Sequence, residues 1–251
     1  MAVVGEGGGV LKDLVLSYSG ASKYSECPFA WKCHYIDKLP QKPKHFFSFG
    51  KSLHSAVESF HIGLAVPSVG DVLLVLRESL EREGYSSANH EKEMWGEAVS
   101  IVRGYHSKHS ADPRRALHVE FEFLVDMGHG MKVRGFIDRI DRIDKGYVGL
   151  LDYKTGKAFR PGRLESDKQL TTYQMALESL DHRVGRLALY HLSSLTEFPV
   201  GPRTTAQVRE VRDWFLSTAE NIRSGKFDPD PGDRKCGWCD YRLACPIFKK
   251  A

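Results

Sequence analysis

Asp152 and Lys154 stand two residues apart in GYVGLLDYKT, a largely apolar run that reads as a β-strand, so their side chains leave the same face. Asp138, in GFIDRIDRID, falls on the strand before it. A turn at Lys145-Gly146 would fold the two strands into a hairpin and carry Asp138 toward Asp152. Two carboxylates converging beside an ammonium make a site for a hard divalent cation, magnesium or manganese, and a reacting phosphate. The cation would polarise a phosphodiester and acidify water. The lysine would orient that water or stabilise developing negative charge. His54, on the helix opened by FGKSLH, is a candidate nitrogen ligand for the same ion. Gln169 and Tyr173, in QLTTY, put an amide and a phenol one helical turn apart on one face. A lone Asp-x-Lys is common and reads as edge-strand charge. GFID followed by DYK across one hairpin is more restrictive than either piece.

Some neighbours compete for these roles. Asp141 and Asp144 repeat Asp138 at a spacing of three, Lys157 repeats Lys154, and His61 lies two turns below His54 as an ordinary helix-face histidine. Glu58 shares the face of His54 and could partner it from behind. FGKS resembles the end of a phosphate-binding G-x-x-x-x-G-K-S loop, but position 45, where the first glycine belongs, is His45. No nucleotide cofactor is expected.

A second constellation is CGWCDYRLACP, which holds three of the five cysteines: Cys236, Cys239 and Cys245. The N-terminal MAVVGEGGGVLKDL has neither a basic segment nor an apolar one of the secretory kind, so a reducing cytoplasm is expected. Clustered thiols there read as metal ligands before disulfides. The fourth would be Cys27 or Cys33. Four thiolates hold zinc or a [4Fe–4S] cluster. Zinc modules pair two CxxC knuckles, and this lopsided triplet favours iron–sulfur with zinc as the alternative.

The elements that must position these residues follow from periodicity. The chain of 251 residues is 41% hydrophobic and 27% charged with net charge +4, an ordinary globular composition without a membrane span. That charge is compatible with a polyanion partner and proves none. After a flexible lead-in over 1–16 comes a helix opened by Ser19 or Ser22, with Tyr24, Phe29 and Trp31 on it, then amphipathic helices over FGKSLHSAVESFHIGLA, 71–84 and 90–109. Three strands follow as a meander, turned at Gly128 to Gly130 and at Lys145-Gly146. A helix capped by Ser166, a fourth strand in VGRLALYHLSS, and a long helix ended by Gly225 complete the chain. The aromatics near the cysteines, Trp238 and Tyr241 included, are expected to pack around a cofactor. The expected class is α/β, a small mixed sheet flanked by helices.

These motifs, in this order from Cys27 to Pro246, resemble the RecB-like branch of the PD-(D/E)XK (restriction-endonuclease-like) nucleases, particularly iron–sulfur exonucleases related to the CRISPR-associated RecB-like nuclease. The resemblance implies that His54, Asp138, Asp152 and the carbonyl of Tyr153 hold the ion and that Lys154 is catalytic. It implies that Gln169 and Tyr173 position the lysine or the DNA. It also selects Cys27 over Cys33 as the fourth thiolate, since the family sets one cysteine before the core and three after it. Glu120 resembles an acidic residue of some members, with a solvent-facing strand charge as the plain alternative.

The expectation is thus a single nuclease domain over 1–251, with 17–45 and 226–251 as the cysteine region and 46–225 as helical insertion and core. Its activity would be exonucleolytic hydrolysis of single-stranded DNA or DNA ends in a bacterium, archaeon or phage-infected cell. The alternative is an accessory protein for CRISPR adaptation or recombination that binds DNA and processes ends only within a complex.

Overall fold

The computed structural model describes residues 13–63, 65–111, 116–156 and 161–248. Lys157 and most of the expected lead-in lie outside them. The described residues form two compact units: those within Met1–Lys42, Glu122–Gly135 and Thr204–Ala251 make one, and those within Pro43–Phe121 and Phe136–Arg203 the other.

In the first unit, β1 (Leu14–Leu16) pairs in parallel with the opening residues of β3, Leu14 against Met131 and Leu16 against Val133. Leu14 and Leu16 are fully buried, so the lead-in ends before them. The single helix expected next is two helices. Helix α1 (Tyr18–Glu26) is capped by Ser17, not by Ser19 or Ser22, its hydroxyl accepting the Gly20 N–H at 3.0 Å. Pro28 then starts a new helix, α2 (Pro28–Tyr35), because proline is tolerated at a first turn and breaks an interior. Helix α7 (Thr205–Arg223) opens with a Thr204–Gln207 capping box and ends before Gly225, whose φ of +69° suits the left-handed stop. The short α8 (Asp233–Gly237) carries Cys236.

Gly135, the glycine of GFID, explains itself by contact. A Cβ there would stand 2.5 Å from the ring of Phe123, which is 2% exposed and has nowhere to go. Gly135→Ala is expected to lose about 1–3 kcal/mol of stability to overpacking, measurable by thermal unfolding, with Phe123→Leu restoring part of it. An unchanged melting curve would contradict that packing.

The second unit carries the chemistry. Helix α3 (His45–His61) buries Leu53, Ala56, Val57 and Phe60 at helical spacing. Burial of each large apolar side chain supplies roughly 1.5–3 kcal/mol. Lys51 and Ser52 of FGKS are ordinary helical residues here, so no phosphate loop exists at this place. Helix α4 (Val69–Glu78), opened by a Ser68–Asp71 capping box, and α5 (Ala88–Ser110) share the same core.

Strand β2 (Ala116–Gly128) turns at His129-Gly130 into β3 (Met131–Arg142). The 3-10 turn Asp144–Gly146 leads on to β4 (Tyr147–Lys154). Strands β3 and β4 pair antiparallel, Arg139 opposite Leu151. Strand β4 pairs in parallel with β5 (Arg183–His191), which requires a crossover, and α6 (Lys168–Ser179) supplies it. The cap of α6 is Asp167, accepting the Leu170 N–H at 2.8 Å, where Ser166 was expected. Sequence patterning passes over β6 (Thr196–Val200), which pairs antiparallel with β5. The sheet is therefore mixed, and helices cover it. Among the described residues no helix is long and apolar enough to cross a membrane.

Candidate active site

Alternation along β4 divides its side chains. Leu151 and Tyr153 enter the core shared with α3 and α5. Asp152 and Lys154 project from the other face, toward α6. The register that sets Arg139 opposite Leu151 carries Asp138 to the level of Asp152, as the hairpin predicts.

Lys154 is held at two points. Its Nζ donates to Asp152 Oδ2 at 2.6 Å and to Gln169 Oε1 at 2.9 Å. Gln169 Nε2 in turn donates to the Tyr173 hydroxyl at 2.7 Å, and that hydroxyl faces Asp152 Oδ1 at 3.5 Å. The four side chains close a ring, fixing the lysine against a buried carboxylate. Burial pushes the Asp152 carboxyl up to about 6 against the pull of the Lys154 ammonium, with Asp138 adding to the rise. Burial would lower the Lys154 ammonium, but Asp152 more than compensates and holds it charged.

Beside this ring lies a ligand group. One atom each from His54, Glu58, Glu120 and Asp138 all fall within 4.8 Å of one another. His54 Nδ1 stands 3.6 Å from Asp138 Oδ2 and 3.8 Å from Glu58 Oε1. Burial opposes charge on His54, yet the hydrogen bond and charge of Asp138, helped by Asp152 and Glu58, push it up to about 9. Glu58 is pushed up to about 8 by burial and by its hydrogen bond to Glu120. Its Oε1 is buried without a hydrogen-bond partner. A carboxyl that keeps its proton near neutrality, with one orphaned buried oxygen, is what a divalent ion would relieve. An oxygen-rich set with one imidazole suits magnesium or manganese.

The ion is therefore expected to displace protons from His54 and Glu58. Apparent affinity for Mn2+ should rise from neutral pH through about 9 and level off above it. Calorimetric titration in two buffers of different ionisation enthalpy counts the protons released. Binding without proton release near neutrality would exclude these two residues as ligands.

Glu58 and Glu120, expected at most behind the ligands, sit in the same group as His54 and Asp138, while the Asp152 carboxylate closes on Lys154. The spacing of His54 and Glu58, four apart on a helix, was signal enough for Glu58. Glu120 carried little: its φ of +47° inside a strand, uncommon for a residue with a Cβ, is invisible to patterning. Tyr153 meets the group through its amide, which donates to Asp138 Oδ2 at 2.6 Å, and through its ring, whose centroid stands 5.9 Å from that of His54.

The rivals are occupied elsewhere. Asp141 accepts from Arg139 Nε at 2.6 Å, and Asp144 sits in the turn. His61 Nε2 meets the Tyr105 hydroxyl at 2.7 Å and Arg139 Nη1 at 2.9 Å, and Tyr105 meets the Tyr153 hydroxyl at 2.9 Å. This buried network braces Arg139 and Tyr153, the immediate neighbours of Asp138 and Asp152.

In the first unit, Cys27, Cys236, Cys239 and Cys245 line one small cavity with Phe29. Backbone N–H groups of Asp230 and Gly232 donate to the sulfurs of Cys27 and Cys236 at 3.5 and 3.4 Å. Cys33 is buried and is not part of that lining. Tyr24, Trp31 and Tyr241 are buried, none of them on that cavity, while Trp238 is 76% exposed.

A fixed lysine beside carboxylates that invite a hard cation defines, as a class, a hydrolase of phosphate esters. The chain belongs to the PD-(D/E)XK nuclease superfamily, whose family model matches residues 15–246. Over 93% of its length it is 25% identical to the Gene 69 protein of Mycobacterium phage L5, covering 96% of that protein, and its Mycobacterium phage D29 counterpart is 26% identical. A segment of 27% of the chain is 36% identical to one subunit of the ATP-dependent helicase/deoxyribonuclease of Streptococcus uberis, of which it covers 6%. The fold is similar to a crystal structure described as "Putative exonuclease" from Eubacterium rectale, with a TM-score of 0.60 at 14% identity, over 94% of this chain and 90% of that one.

Proposed function

We propose that this nuclease is a divalent-metal-dependent deoxyribonuclease that removes nucleotides from single-stranded DNA or DNA ends. In this reading it works in the cytoplasm of a bacterial or phage-infected cell. The observation that carries the reading is the closed ring of Asp152, Lys154, Gln169 and Tyr173 set beside the His54 group.

His54, Asp138 and Asp152 are read as the ligands of magnesium or manganese, with Glu58 and Glu120 completing the set. When bound, the ion polarises the phosphodiester and acidifies water. Lys154, held by Asp152 and Gln169, meets the negative charge that builds on the phosphate during in-line attack. Tyr173 keeps Gln169 turned toward the lysine.

Cys27, Cys236, Cys239 and Cys245 are read as ligands of a structural [4Fe–4S] cluster, with 17–45 and 226–251 as its region of the chain and 46–225 as the nuclease core with its helical insertion. Four thiols on one cavity and two N–H···S bonds support a sulfur-ligated group. A single tetrahedral zinc is the alternative occupant of the same four thiolates.

The test is anaerobically purified protein incubated with end-labelled single-stranded DNA, with and without Mg2+. Progressive shortening from one end, dependent on the ion and lost in Asp152→Ala while binding persists, is the expected result. DNA bound but never cut by the wild type would favour a component that acts only within an assembly, as the naming of the Streptococcus relative suggests.

A further inference from the structure

The end of α4, the segment after it and the start of α5 line an open cleft of about 470 Å³ that carries Arg77, Leu80, Arg82, Glu91, Lys92 and Trp95, and the catalytic residues have no part in it. Three cations face one carboxylate there. Glu91 pairs with Arg82 at 3.5 Å, and an exposed pair of that kind is weak enough to open for a competing anion. Trp95 is half-buried, its ring packed against the core of α3 and α5 while also lining the cleft. A rigid indole presented in this way loses little entropy on stacking.

The start of α3 continues the tract. His45 touches the ring of His90 on the first turn of α5, with centroids 4.6 Å apart, and the adjacent Phe46 and Phe47 are 47% and 66% exposed. His54 stands nine residues on from His45 along that helix, about 13 Å at the helical rise. Basic residues interleaved with exposed aromatic faces suit a polyanion whose bases are unpaired, because a duplex keeps its π-faces stacked inside.

We propose that the cleft between α4 and α5 binds an unpaired DNA strand outside the catalytic centre, one base stacking on Trp95 and the phosphates meeting Arg77, Arg82 and Lys92. Phe46 and Phe47 extend the stacking surface along α3 toward His54. This deepens the nuclease reading and rests on it: the strand held here is the substrate, and single-strand preference comes from the indole.

The test is fluorescence anisotropy of a labelled oligothymidylate with the full chain in EDTA, where no cleavage occurs. Its companion is hydrolysis of bis(p-nitrophenyl) phosphate with Mn2+, a diester too small to reach the cleft. The triple variant Arg77→Gln/Arg82→Gln/Lys92→Gln is expected to bind the oligonucleotide at least about tenfold more weakly, with the slope of log affinity against log salt shallower by about 2. Trp95→Leu should weaken binding comparably, Trp95→Phe should restore most of it, and an abasic oligomer should not distinguish the two. Hydrolysis of the small diester should be unchanged in every variant. Unaltered oligonucleotide binding would overturn the proposal. Equal weakening for a blunt duplex would overturn the unpaired-strand assignment, and parallel loss of diester hydrolysis would reduce the cleft to a packing role. Should the wild type hydrolyse neither substrate while the binding differences stand, the nuclease reading fails and the strand site remains.

Discussion

Lys154→Gln is expected to lower the rate of DNA cleavage at saturating Mn2+ by about a hundred- to a thousand-fold, the scale on which one preorganised charge-stabilising donor acts. The amide retains a hydrogen bond and most of the volume, so the loss isolates the charge. The ring around it gives two further expectations. Gln169→Ala leaves the lysine its 2.6 Å contact with Asp152 and should cost only about tenfold. The double variant should lose no more than Lys154→Gln alone, because the glutamine acts through the lysine. The sign of the accompanying pKa change is fixed as well. The ammonium lowers an Asp152 carboxyl that burial raises, so its removal must send that carboxyl above about 6 in the metal-free protein. Carbon-13 titration of Asp152 reads this without reference to activity. A Lys154→Gln enzyme within a factor of ten of wild type would remove the lysine from the chemistry.

Cys27→Ser carries the other large effect. Cys27 lies 209 residues before Cys236 (236 − 27), and both line the same cavity. A group binding both closes a loop whose entropy, if tied by a covalent link, amounts to about 5 kcal/mol. The wild type should be brown and hold about four irons per chain. Cys27→Ser should lose colour and iron, and its thermal unfolding should fall well below that of the anaerobic wild type. Cys33→Ser, altering a thiol outside the lining, should keep its metal. A colourless wild type with about one zinc per chain would replace the cluster with the single-ion alternative.

Much of the site could be read from residue order because its chemistry sits on regular elements. Asp-x-Lys on a strand must share a face, a two-strand hairpin must bring Asp138 level with Asp152, and a four-residue step must align Gln169 with Tyr173. What escaped reading depended on contacts made far away in sequence. The three-residue β1 has too little pattern of its own and exists through pairing with Met131 to Val133. Strand β6 contains an exposed Pro199 and no fully buried residue, so it offers patterning little to find. Capping moved by one residue at α6 and by two or five at α1, because several hydroxyls and carboxylates compete at each helix start and spacing alone does not decide between Ser166 and Asp167.

The left-handed backbone of Glu120 has an evolutionary corollary. A side-chain-bearing residue in that region costs about 1–2 kcal/mol relative to ordinary backbone, whereas glycine enters it freely and asparagine with little penalty. Natural selection would tolerate such a tax only while the carboxylate is useful. On the proposed ligand set, position 120 is thus a marker that can be scored across homologues: lineages that do without a carboxylate there should drift to glycine or asparagine, and those that keep glutamate should keep the ion.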